Sequence, residues 1–153
     1  MQTFLPSHKF RVSAAVLDNK RLGKQRVECK QVLLCLGVPV GTHKPTTGWK
    51  NHPAVKMWSG FEPALCVYSA VVCGEWRARG FNDSLLPQFC DAFERLLGGD
   101  SVVPRPPWLG IAELHASHRS NLIRKDPVYY SRHGWTESDD LPYFWPTQQN
   151  ETT

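Results

Sequence analysis

The chain has 153 residues, 41% apolar and 21% charged, which sets it among ordinary globular domains and excludes disordered and fibrous classes. No run of 18 apolar residues is present, so no transmembrane helix is expected, and the opening Met1-Gln-Thr-Phe-Leu-Pro6 lacks the basic and apolar regions of a secretory signal. The net charge of +4 is uneven: residues 1–60 hold ten Lys/Arg against two acids, and residues 61–153 hold eight against twelve. A basic first third suits either a polyanion partner, nucleic acid first, or a solvated basic helix face.

In chain order, the pattern predicts one long helix over Ser13–Leu36, with Ser13 as N-cap and Gly37 as the stop. Gly23 inside it costs about 1 kcal/mol against Ala, and a glycine there marks the close approach of another group. A Gly-, Pro- and Thr-rich loop follows over Val38–Lys50. Pro53–Ser59 reads as a short helix with Pro at its first position. Pro63–Arg79 is the clearest helix, because Phe61, Leu65, Tyr68, Val72 and Trp76 draw one apolar stripe. Cys66 and Cys73 flank that stripe and read as small core residues. Leu85–Leu97 and Ile111–Lys125 complete the helices. The remainder, with Tyr129-Tyr130 and Leu141-Pro-Tyr-Phe-Trp-Pro146, reads as irregular chain packed by aromatics. The expected fold is all-α: a compact single domain of about four to five helices over residues 1–146, with a long irregular aromatic-rich C-terminal segment and a polar tail over 147–153. Five Cys without a C-x-x-C pair argue against a disulfide framework or zinc ribbon, so the expected compartment is reducing and cytoplasmic.

Three groups of residues could carry chemistry. Asp18, Arg21, Gln25 and Glu28 fall within roughly 80° on one helix face, flanked by Lys24 and Arg26. A carboxylate among guanidinium groups either pairs structurally or moves protons beside phosphates, and the central Gly23 leaves room for a ligand. Gly48-Trp-Lys-Asn-His-Pro53 sets Trp49, Lys50, Asn51 and His52 before a helix N-terminus, where backbone N–H groups attract anions; the alternative is that His52 caps that helix and Trp49 packs. The third group is His118, Arg119, Asn121, Arg124, Lys125, Tyr129 and Tyr130. It suits phosphate contact and base stacking, or else a cationic helix end stabilised by the helix dipole. His115 and His118, three apart beside Glu113, lack a third ligand at convincing spacing, so no metal is expected.

Taken as a set, these segments resemble a known family. The opening Met-Gln-Thr-Phe-Leu-Pro, Arg21-Leu-Gly-Lys-Gln-Arg-Val-Glu28, Trp49-Lys-Asn-His-Pro-Ala-Val-Lys-Met-Trp58 and His118-Arg-Ser-Asn-Leu-Ile-Arg-Lys-Asp-Pro127 look like the bacterial and actinophage branch of the pyrimidine-dimer DNA glycosylases with AP-lyase activity, the small phage-type UV endonucleases. Glu75-Trp-Arg-Ala-Arg-Gly-Phe81 and Pro127-Val-Tyr-Tyr-Ser-Arg-His-Gly134 are similar to later parts of that family, so the likeness spans roughly residues 1–146. The resemblance implies a helical, cofactor-free monomer acting in the cytoplasm on duplex DNA with damaged pyrimidines, nucleoid-associated or in a host cell if phage-encoded, without membrane association. It also implies that an N-terminal α-amine is the nucleophile. An α-amine titrates about two units below lysine, so more of it is neutral and able to attack a sugar carbon.

The residues that the resemblance assigns to catalysis are Met1, Glu28, Arg21 and His52. Those assigned to DNA are Lys24, Gln25, Arg26, Trp49, Lys50, Asn51, His118, Arg119, Asn121, Arg124, Lys125, Tyr129 and Tyr130. Phage members carry a Glu directly after an Arg in the first helix, whereas Arg21 here precedes Leu22 and Gly23; Glu28, which closes the Arg/Gln face, takes the carboxylate role. Position 2 is Gln, a poor context for Met removal, so the free amine falls to Met1. Two rivals stay open: the same scaffold acting on another damaged or modified pyrimidine, and a DNA-binding protein without catalysis.

Overall fold

The computed structural model describes residues 1–146, and the polar tail lies outside them. Among the described residues, seven helices form an all-α fold: α1 Phe10–Val16, α2 Asn19–Cys35, α3 Pro53–Lys56, α4 Glu62–Ala78, α5 Leu86–Leu97, α6 Ala112–Lys125 and α7 Pro127–Tyr130. A 3-10 turn over Ser131–His133 follows. Among the described residues no strand forms, and no helix is long and apolar enough to cross a membrane.

Helix α4 is the hub. It packs against α1, α2 and α5, and its buried Leu65, Tyr68, Val72 and Cys73 meet Leu22, Cys29, Val32 and Leu33 of α2. Cys66 and Cys73 are core residues, as expected; burial pushes the Cys66 thiol up to about 12, which keeps it protonated and unreactive.

The expected Ser13–Leu36 helix is two helices. The chain turns extended at Leu17 and Asp18, and Asp18 caps α2, its carboxylate accepting from Arg21 N–H at 3.4 Å. Ser13 does not begin a helix; it is buried inside α1, where its hydroxyl donates to the Ser7 carbonyl at 2.9 Å and accepts from the Ser7 N–H at 3.1 Å. The C-terminal segment is also more regular than expected, since Tyr129 and Tyr130 lie in α7, capped by the Asp126 carboxylate.

Gly23 does mark a close approach, but not by a ligand. A Cβ at that position would stand 2.9 Å from the Trp76 indole of α4. The indole fills the space, stacked on Phe81 and covered by the Arg26 guanidinium.

Candidate functional site at the amino terminus

Residues 1–9 form no helix, yet Gln2 to Pro6 are buried. An extended segment threaded among helices has no ladder partner, and buried backbone polar groups must be bonded. Side chains do this here. Gln25 of α2 accepts from Phe4 N–H and donates to the Gln2 carbonyl, both at 2.8 Å. The Tyr68 hydroxyl donates to the Phe4 carbonyl, and Trp58 Nε1–H donates to Thr3 Oγ1 at 3.0 Å.

Two histidines of α6 hold the Leu5 peptide from both sides. Leu5 N–H donates to His118 Nδ1 at 2.8 Å, and His115 Nδ1 lies 2.7 Å from the Leu5 carbonyl. His115 Nε2 accepts from Gly110 N–H, so its proton sits on Nδ1 and points at Leu5. Desolvation pushes the His118 imidazole down to about 3 and lowers His115 too, so both rings are neutral. Three of their four ring nitrogens are thereby committed to the backbone, and among the described residues no group of three or more His, Cys, Asp or Glu could hold a metal.

This anchoring delivers half-buried Met1 to a charged rim. Desolvation first, and then the charge of the terminal amine, hold the His52 imidazole below its ordinary range, while the Glu28 carboxylate pulls the other way. The His52 imidazole therefore feels both the terminal amine and the Glu28 carboxylate. His52 Nδ1 accepts from Ala54 N–H at 3.0 Å, capping α3 as one sequence reading expected. The Glu28 side chain is 12% exposed, with Lys24 Nζ 3.7 Å away. Lys125 is lowered first by desolvation and then by Arg21, Arg124 and Lys24, with Glu28 opposing, so cations of α2 and α6 gather near Lys125. Arg21 is oriented by Asp18 at 3.1 Å, and Asp18 in turn accepts from the Tyr130 hydroxyl. Although burial works against it, these hydrogen bonds keep the Asp18 carboxyl below its ordinary value.

Of the expected catalytic residues, His52 feels the charges of the Met1 amine and Glu28, and Arg21 acts on Lys125 together with Lys24, Arg124 and Glu28. Trp49, Lys50 and Asn51 are exposed on the adjoining loop, and Tyr129 lies under the Arg132 guanidinium. Four residues expected at DNA, Gln25, His118, Asn121 and Tyr130, are buried, which gives them packing roles instead, whereas Arg26 and Arg119 are half-buried in ion pairs. Gln25 is 1% exposed and holds the amino-terminal segment, and His118 is fully buried at Leu5. Asn121 bonds the Ser117 and Leu141 carbonyls, and Tyr130 is buried against Asp18 and Trp135. Arg26 pairs with Asp83, and Arg119 with Glu137 and the Pro6 carbonyl. These sites shared one signature, polar residues on a helix face, and that signature does not distinguish an inward face from an outward one.

Two residues without an assigned site role also stand here. Tyr143 and Trp145 reach the site on a strap tied to α6: Ser120 Oγ accepts from Leu141 N–H, and Ser117 Oγ from Phe144 N–H. A separate apolar cavity of about 800 Å³ between α1, α4 and α5 shares no lining residue with the site.

The family model described as pyrimidine dimer DNA glycosylase matches residues 1–86, more than half of the chain. That span carries the threaded terminus, α2 and the His52 loop. No curated protein and no solved structure matches the chain.

Proposed function

The chain belongs to the pyrimidine dimer DNA glycosylase family, and on that premise we propose that it cuts the N-glycosidic bond of pyrimidine dimers in duplex DNA with the Met1 α-amine and then nicks the strand by β-elimination. The neutral amine attacks C1′ of an extruded nucleotide, the bond from C1′ to the base breaks, and the base leaves with its electron pair and takes up a proton. Loss of the amine proton and opening of the sugar ring give an imine. The imine acidifies C2′; removal of that proton expels the 3′ phosphate oxygen, and the strand is cut.

Glu28 serves two steps in this scheme. Its carboxylate stabilises the cationic sugar as the base departs, and it then takes the C2′ proton. His52 Nε2 is the second proton-handling group of the site. Arg21, Lys24, Arg124 and Lys125 hold phosphates, and exposed Lys50 extends the cationic surface along the strand.

The observation that carries this reading is the anchored, buried amino-terminal segment, whose terminal amine acts with Glu28 on His52 on the face that bears Arg21, Lys24, Arg124 and Lys125. A solvated basic face would not need a terminus anchored by Gln25, Tyr68, Trp58, His115 and His118. The test is borohydride trapping on duplexes carrying a pyrimidine dimer or an abasic site. A covalent adduct with both is expected, and Glu28→Gln should bind both duplexes while cutting neither. An adduct with the abasic site alone moves the activity to another base. No adduct with either, alongside salt-sensitive binding, leaves a DNA-binding protein without chemistry.

A further inference from the structure

Tyr130 is fully buried, and its hydroxyl makes two bonds to Asp18, 112 positions away in the chain. It donates to the Asp18 carboxylate and accepts from the Asp18 N–H at 3.1 Å. The ring is fixed on both sides: it stacks on Trp135 at 5.6 Å and 10°, and Tyr129 meets it edge-on at 5.0 Å. Helix α7 is fixed as well, since the Asp126 carboxylate accepts from Tyr129 N–H and the Asp126 carbonyl from Tyr130 N–H, both at 3.0 Å. Burial, and then the bond to Asp18, push the Tyr130 hydroxyl above its ordinary range, so it stays protonated and able to donate.

Asp18 does more than cap α2. A cap needs one acceptor for one N–H, and Oδ2 supplies it to Arg21. Oδ1 serves two side chains, the Tyr130 hydroxyl and Arg21 Nη1 at 3.1 Å. Arg21 in turn lies where the charges of the site are felt, because it acts together with Glu28 and Arg124 on both Lys125 and Tyr143. A guanidinium has five N–H donors, so donors remain for a phosphate after Nη1 is bonded to Asp18. A free arginine side chain carries about 2 kcal/mol of rotamer entropy, and an arginine already held loses less of it on binding.

We propose that Tyr130 is a positioning residue: through the Asp18 carboxylate it holds the Arg21 guanidinium ready for a backbone phosphate of the bound strand. The proposal rests on the reading of Arg21 as a phosphate ligand, and it adds to that site a residue beyond the span 1–86 that the family model matches. It also fixes the sign of the Asp18 effect. A carboxylate that is only a bystander repels phosphate, so removing its charge tightens DNA binding. A carboxylate that holds Arg21 in place does the reverse.

The test is the salt dependence of binding to a duplex with a reduced abasic site, which has no aldehyde to trap, read by fluorescence anisotropy. Each phosphate contact contributes about 0.9 to the slope of log affinity against log salt on duplex DNA. Tyr130→Phe keeps the ring on Trp135; it should weaken binding about ten-fold at low salt and reduce the slope by about one contact. Arg21→Gln should lose at least as much, and adding Tyr130→Phe to it should bring no further loss, because the two act as one unit. Asp18→Asn keeps the helix cap and should weaken binding too, against the direction of its charge change. Losses that multiply in the double variant, a wild-type slope in Tyr130→Phe, or tighter binding by Asp18→Asn each overturn the proposal. An Arg21→Gln protein that binds as the wild type does overturns it together with the phosphate role of Arg21. A wild-type protein that forms no borohydride adduct yet shows the expected pattern sinks the glycosylase reading alone and leaves the positioning role standing.

Discussion

Leu5 and His118 stand 113 positions apart in the chain and are joined by a 2.8 Å hydrogen bond from the Leu5 N–H to Nδ1 of a fully buried imidazole. This bond ties the amino-terminal segment to α6, so the position of Met1 depends on His118 staying neutral. Free histidine titrates near 6.5, and burial takes the folded value to about 3. Between those values the unfolded chain binds a proton that the folded chain refuses. The contribution is therefore fully present above pH 6.5 and is lost as pH falls toward 3, by about 1.4 kcal/mol per pH unit. His115, also lowered, adds to it in the same direction. Urea unfolding at pH 7 and at pH 5 should show the loss, and His118→Asn should flatten the dependence; an unchanged midpoint in the wild-type protein would place the imidazole in water.

Gln25 makes the opposite kind of anchor, since it both accepts and donates. Gln25→Leu leaves Phe4 N–H and the Gln2 carbonyl buried without partners, each at a cost of about 1–3 kcal/mol. Thermal unfolding should register a drop of several degrees, and hydrogen exchange at residues 2–5 should accelerate. Gln25→Glu keeps the acceptor for Phe4 but buries a carboxylate against the Gln2 carbonyl, so at pH 7 its drop should be at least as large.

The helix break and the threaded terminus show where sequence periodicity stops. Leu65, Tyr68, Val72 and Trp76 step along one face of α4, and that spacing alone locates the hub helix. Asp18 was legible as part of a charged face, but its spacing to Arg21 equally fits an N-cap, and only the extended backbone at Leu17 and Asp18 decides between them. Residues 2–6 carry no helical or alternating signal, because their burial comes from partners at positions 25, 58, 68, 115 and 118. Arg21, Glu28 and His52 were singled out by local pattern and family likeness. Tyr143 and Trp145 were not, since nothing near them in the chain reveals that a strap bonded to Ser117 and Ser120 brings them to His118 and His52.

Gly23 offers a clean separation of helix propensity from packing. Alanine gains about 1 kcal/mol in a helix interior, but its Cβ would stand 2.9 Å from the Trp76 ring, and overpacking of this kind costs about 1–3 kcal/mol. Gly23→Ala should therefore lower the melting temperature. In a Trp76→Leu background, where the ring is gone, the same change should raise it. A rise in both backgrounds would mean that α2 and α4 are not in contact at this point.

The claim on which the mechanism stands is that the Met1 α-amine forms the bond to the sugar. Digestion of the borohydride-trapped complex and mass mapping of the modified peptide addresses it directly. The reduced sugar adduct should sit on the α-nitrogen of Met1, and blocking that nitrogen by acetylation should abolish trapping. An adduct on the ε-amine of Lys24 or Lys125, with trapping undiminished by acetylation of Met1, would contradict it.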